Sequence, residues 1–186
     1  MKKFLSILLA CLLTFSLAGC AVKDTPKEEV SVKDSLEILT TVWSSYPDDN
    51  KFPIMGGDYN NMTDNEPGKF NTDDKETLRS LLVVPEDAAG LIDDAASMMH
   101  AMNANTFTGA AFHLSDPKTV RTFSDSLKNS VLNNQWMCGF PEVLLLAQIG
   151  DDYVVSAFGN ADLMKTFKTQ LEENYPSISI LAEENL

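Results

Sequence analysis

The chain has 186 residues, and its 14 basic against 27 acidic side chains give it a formal charge of −13; 44% of it is apolar, with ten Phe. This composition argues for a packed core over disorder. The length suits one domain, or one domain with an appended helical region. The negative charge repels nucleic-acid phosphates and anionic bilayer surfaces, so nucleic acid is disfavoured as a partner and no electrostatic membrane contact is expected.

The chain opens with Met1-Lys2-Lys3 and an apolar run from Phe4 to Gly19, sixteen residues that stop short of the roughly 18 to 20 needed to cross hydrocarbon. A basic start, an apolar middle and small residues before a cut are the three parts of a secretory signal. The run ends in Leu17-Ala18-Gly19-Cys20, which resembles the lipobox of bacterial lipoproteins at all four positions. That resemblance implies cleavage between Gly19 and Cys20, a covalent diacylglycerol on Cys20, and attachment at the extracytoplasmic face of the cell membrane. The lipid would be the only non-protein group, with no metal or other cofactor. Each buried CH₂ of an acyl chain contributes about 0.8 kcal/mol, so two chains hold a protein stably where one does not. Removal of the signal leaves residues 20–186 with twelve basic and 27 acidic side chains, a formal charge of −15.

Residues 20–33 then read as the lipidated Cys and a polar tether, with Lys23, Pro26, Lys27, Glu28 and Glu29 and few apolar side chains. A flexible stretch of that length reaches on the order of 20 Å, enough to hold a domain clear of the headgroups. Residues 34–93 are expected to form a helical and loop region packed on the main domain. Asp34 and Glu37 have capping-box spacing, and Leu36, Leu39, Val42, Trp43 and Tyr46 recur at helical intervals before Pro47. Trp43 is expected in the core. From Pro47 to Asn71 the periodicity dissolves into a long loop. Its oxygen-bearing side chains, Asp58, Asn60, Asn61, Asp64 and Glu66, suggest either a solvated turn, a calcium site or the carboxylates of an exported hydrolase, although the EF-hand order fails at Met62. Asp73 and Glu76 repeat the capping-box spacing ahead of Leu78, Leu81 and Leu82, and a further short helix follows Pro85.

Residues 94–186 contain two strands and a helix, twice. Strands over 95–102 and 106–114 flank the turn Asn103-Ala104-Asn105, and Ser115-Asp116-Pro117 starts a helix carrying Val120, Phe123, Leu127 and Val131. Strands over 143–149 and 153–158 flank Gly150-Asp151-Asp152, and a helix from about Asn160 carries Leu163, Phe167 and Leu171. Ala111-Phe112 and Ala157-Phe158 occupy equivalent places in the two rounds, a weak internal repeat. The expected fold class is α+β: an antiparallel four-stranded sheet from two β-β-α units, both helices on one face, preceded by a helical N-terminal region. In order and spacing, residues 78–175 loosely resemble the C-terminal domains of small lipoproteins from Gram-positive gut-type bacteria, whose role is uncharacterised. The resemblance carries no catalytic residue.

The catalytic vocabulary is thin. His100 and His113 could serve Ser97 or Ser115, but no nucleophile elbow precedes either Ser, and two His with one Cys fall short of a zinc site. No phosphate-cradling Gly-rich motif occurs. Cys11 leaves with the signal and Cys20 takes lipid, so Cys138 is expected to be a buried structural thiol. Trp136, Met137 and Phe140 crowd a helix-to-strand connection, either closing the open end of the sheet or forming a contact patch. The expected function is a membrane-anchored, extracytoplasmic, non-enzymatic binding module for a protein, peptide or small solute.

Overall fold

A computed structural model describes residues 31–102 and 105–186. The expected signal, Cys20 and most of the expected tether lie outside the described residues, as do Asn103 and Ala104. Where the tether ends the chain is already ordered: Val32 packs on the core, and the Lys33 amide donates to Glu37 Oε2 at 2.6 Å.

Helix α1 (Ser35–Ser44) starts as its cap predicts, Asp34 accepting from the Glu37 amide at 2.9 Å. Three short strands follow, β1 (Ile54–Gly56), β2 (Thr63–Asp64) and β3 (Gly68–Phe70). Helix α2 (Lys75–Leu82) is capped by Asp74 rather than Asp73: its carboxylate takes both the amide and the hydroxyl of Thr77. A four-residue helix α3 (Glu86–Ala89) leads into β4 (Ile92–His100), and β5 (Phe107–Leu114) returns beside it. A 3₁₀ turn with Pro117 at its start opens into α4 (Val120–Leu132). The chain closes with β6 (Val143–Ile149), β7 (Tyr153–Gly159), α5 (Ala161–Asn174) and β8 (Ser179–Asn185).

The expected α+β class is present, and β4, β5, β7 and β6 form the antiparallel centre of the sheet. The sheet is larger than four strands. Among the described residues it has eight, in the order β2-β1-β4-β5-β7-β6-β8, with β3 also on β4. Strands β1 and β3 share one edge of β4 end to end, Ile54–Gly56 opposite His100–Met98 and Gly68–Phe70 opposite Ser97–Ala95. The segment between them loops out. Its two ends touch at Gly56 and Gly68, where a Cβ on Gly68 would lie 2.6 Å from the Gly57 nitrogen.

The two main helices do not share a face. Phe123, Leu127 and Val131 of α4 pack on Phe112, Leu144, Leu146, Val154 and Phe158, together with α2 and α3. Met164, Phe167 and Leu171 of α5 pack on Ala111, Leu145, Ala147, Val155 and Ala157 from the other side, together with α1. Topology supplies the reason. β5 and β6 run parallel with β7 between them, so β5-α4-β6 is a crossover, and β7-α5-β8 is a second one skipping β6. Both step the same way across the sheet but start from antiparallel strands. Connections of one hand must then pass over opposite faces. A sheet covered on both sides needs apolar residues at successive positions, which accounts for the unbroken run Leu144-Leu145-Leu146-Ala147.

Candidate functional site

The long stretch from Pro47 to Asn71 is not structureless, and it buries one of its acids. Asp58 is 2% exposed, and its carboxylate accepts from the Asn60, Asn61 and Asn71 amides at 2.8, 3.1 and 2.8 Å. Burial pushes this carboxyl up, but the three amides, with the Asn61 side chain, outweigh burial and hold it below the usual carboxylate range. Asn60, Asn61, Asp64 and Glu66 are exposed. Trp43, in the core as expected, donates from Nε1 to the Asn65 carbonyl at 3.2 Å. Among the described residues no three His, Cys, Asp or Glu side chains gather in a metal-holding group.

The histidines occupy different ends of the sheet. The His100 ring stacks on Phe52 with centroids 4.9 Å apart, its Nδ1 accepts from the Met102 amide at 3.0 Å, and burial pushes its imidazole down. His113 is clasped between Asp93 on Nδ1 and Asp152 on Nε2, the latter at 3.2 Å. Burial lowers its affinity for a proton, while the bond to Asp93 and the charges of Asp93 and Asp152 raise it further, so the imidazole sits above its ordinary value. Neither Ser is poised as a nucleophile beside a histidine: Ser97 Oγ donates to the Gly57 carbonyl at 2.8 Å and Ser115 Oγ to the Leu91 carbonyl at 3.1 Å.

The residues singled out between α4 and β6 separate. Trp136 turns inward, half-buried against the core with its ring 5.2 Å from that of Phe158. Met137 is 90% exposed and Phe140 is 71% exposed. Cys138 is exposed, which corrects the expected buried thiol. Only Trp136 folds back over the end of the sheet; the connection around it stands away from the core and carries Cys138 with it.

That connection forms one wall of an open groove of about 850 Å³. Helix α2 supplies the opposite wall through Glu76, Arg79 and Ser80, and the floor comes from Met99, Thr108 and Phe158 at the end of the sheet. The rim is rich in amides, Asn105, Asn133, Asn134 and Gln135, while Trp136, Met137 and Met102 add apolar surface. Sequence reasoning found one wall of this groove and missed the other. No local pattern in the sequence marks α2 as part of a site; the structure marks it at Val83, which ends α2 in a left-handed conformation (φ +59°) that a β-branched side chain seldom adopts and which lines the same groove. Chemically, a groove of mixed polarity, with apolar surface from Met99, Met102, Trp136 and Met137 beside amide side chains, can take a hydrophobic side chain and satisfy the polar backbone on either side of it. Comparison with protein-family models, curated proteins and solved structures finds no match to this chain.

Proposed function

We propose that this protein is a membrane-anchored extracytoplasmic lipoprotein, held by diacylglycerol on Cys20, whose folded domain is a non-enzymatic binding module. Its binding site is the groove between α2 and the 133–140 connection, and its ligand is an extended peptide segment of a partner protein bearing an apolar side chain. The observation that carries this reading is the pairing of the groove with Met137, a large apolar residue left almost wholly in solvent at its wall. Exposed Met and aromatic side chains beside a concave, amide-rimmed surface favour adaptable peptide contacts. Phe140, three residues further along the same connection, is also exposed and lies outside the lining of the groove.

Peptides selected by display against the full chain test this. Met137→Ser and Phe140→Ser remove exposed side chains and should leave the melting temperature within a degree or two, while peptide affinity falls roughly tenfold per hot-spot side chain. Selected peptides that bind both variants as tightly as the parent would place the site elsewhere.

A further inference from the structure

Helix α4 crosses the sheet over β6 and β7, but β8 extends the sheet one strand beyond the helix. Between the flank of α4 and β8 a cleft of about 410 Å³ opens. Its helical wall carries Lys118, Arg121, Ser124 and Lys128, and the sheet side offers Leu181, Ala182 and Gln148 over the fully buried Leu146. In a chain of net charge −13, three cations on one cleft form a local reversal of sign.

These cations are poorly neutralised. Arg121 reaches Asp125, and Lys128 reaches Glu184, only at 3.9 Å, whereas the Lys69–Asp94 and Lys168–Glu183 pairs close to 2.6 Å. Asp125 also lines the cleft and Glu184 lies beside Lys128, so two carboxylates offset part of the charge of the three cations and leave an excess of one. A second, independent feature lies in the same wall. Ser124 is 5% exposed, and its Oγ is buried with no hydrogen-bond partner. Buried hydroxyls are normally paired, because an unpaired one loses water without compensation. The cleft runs along the flank of α4 from Val120 to Lys128, with one end at the first turn, the positive end of the helix dipole.

We propose that this cleft binds the phosphate of a phosphate ester, with Lys118, Arg121 and Lys128 as charged donors, Ser124 Oγ as a hydrogen-bonding partner, and the ester's carbon skeleton on Leu181 and Ala182. Phosphate suits the site better than carboxylate. The three unbridged oxygens of a monoester, whose charge approaches −2, or the two of a singly charged diester can engage several donors at once. The overall negative charge of the chain opposes anion approach from a distance, so the cleft selects at contact range. Glycerol phosphate is the shared chemistry of two sources, a free polyol phosphate and the headgroup of an anionic lipid.

Amide chemical shifts of the full chain in neutral detergent micelles test the site. Glycerol 3-phosphate in the buffer and phosphatidylglycerol doped into the micelles are added in separate arms, with chloride at equal ionic strength as control. Saturable shifts at Arg121, Ser124 and Leu181 are expected in one arm, and that arm identifies the source. The double variant Lys118→Gln, Arg121→Gln should weaken the response roughly tenfold. Ser124→Ala should weaken binding while leaving or raising the melting temperature, because the hydroxyl has no partner within the chain. Absence of saturable shifts in both arms, shifts reproduced by chloride, or a double variant that responds like the parent would each overturn the proposal.

Discussion

At the scale of the residue, charge is spent on structure. Asp58 is the clearest case, because one buried carboxylate closes the excursion between β1 and β3 by accepting three backbone N–H groups. Asp58→Asn replaces one acceptor oxygen with an amide that donates, setting donor against donor. The expected loss is about 1–3 kcal/mol of unfolding free energy, read from a shift in urea midpoint at constant slope. Its folded carboxyl lies below the usual range, so the stability it contributes is present above the unfolded value and is lost as pH falls through the folded one. His113 has the opposite sign. Its folded imidazole binds a proton more tightly than an unfolded one, so its contribution is complete below the ordinary histidine range and disappears as pH rises through the raised value. A melting curve series should show the wild type losing stability across that alkaline-going window and His113→Gln showing no such step. An unchanged step in the variant would mean another group titrates there.

At the scale of the element, the excursion from Gly57 to Pro67 behaves as one unit inserted into an edge strand. Its ends meet at Gly56 and Gly68, where the backbones approach too closely for a side chain. Gly68→Ala should therefore cost about 2 kcal/mol or more, measured by denaturant unfolding, while Gly90→Ala, at a site open to solvent, should change stability by well under 1 kcal/mol. Equal effects at both positions would show that the loop relaxes freely. Local signals placed most elements well: the Asp34 cap, Pro117 at a helical start and the Gly150-Asp151-Asp152 turn each act through neighbours within four residues, and the strand over 143–149 and the helix beginning after Asn160 lie where the pattern put them. Strands β1, β3 and β8 escaped because their partners on β4 and β6 lie far along the chain, and β2 because two residues are too few to show an alternation. β8 is mostly exposed at an edge, only Ala182 and Glu184 being half-buried, and its pairing with β6 is interrupted by a bulge, so its alternation is weak.

At the scale of the whole molecule, the proposed anchor and the folded domain divide the work. The described residues contain no helix long and apolar enough to cross a membrane, and the net charge repels an anionic surface. On the proposed function, location then depends on Cys20 alone. Mass spectrometry of the native protein should find an N-terminal cysteine bearing diacylglycerol, and Cys20→Ser should leave a precursor with its leader intact and no thioether lipid. An unmodified thiol at that position in the native protein would remove the anchor from the account.

The sequence by itself determined what depends on nearest neighbours and on sums: the caps and helical stripes, the alternating strands, the α+β class, the negative charge and the resemblance of residues 17–20 to a lipobox. Tertiary structure alone decided which face each helix covers, how a four-strand centre grew to eight strands, that Asp58 is buried and Cys138 exposed, and that α2 stands across a groove from Trp136. The physical reason is that helix propensity and capping act over a turn of chain, whereas strand pairing, crossover hand and burial are set by contacts between segments many tens of residues apart.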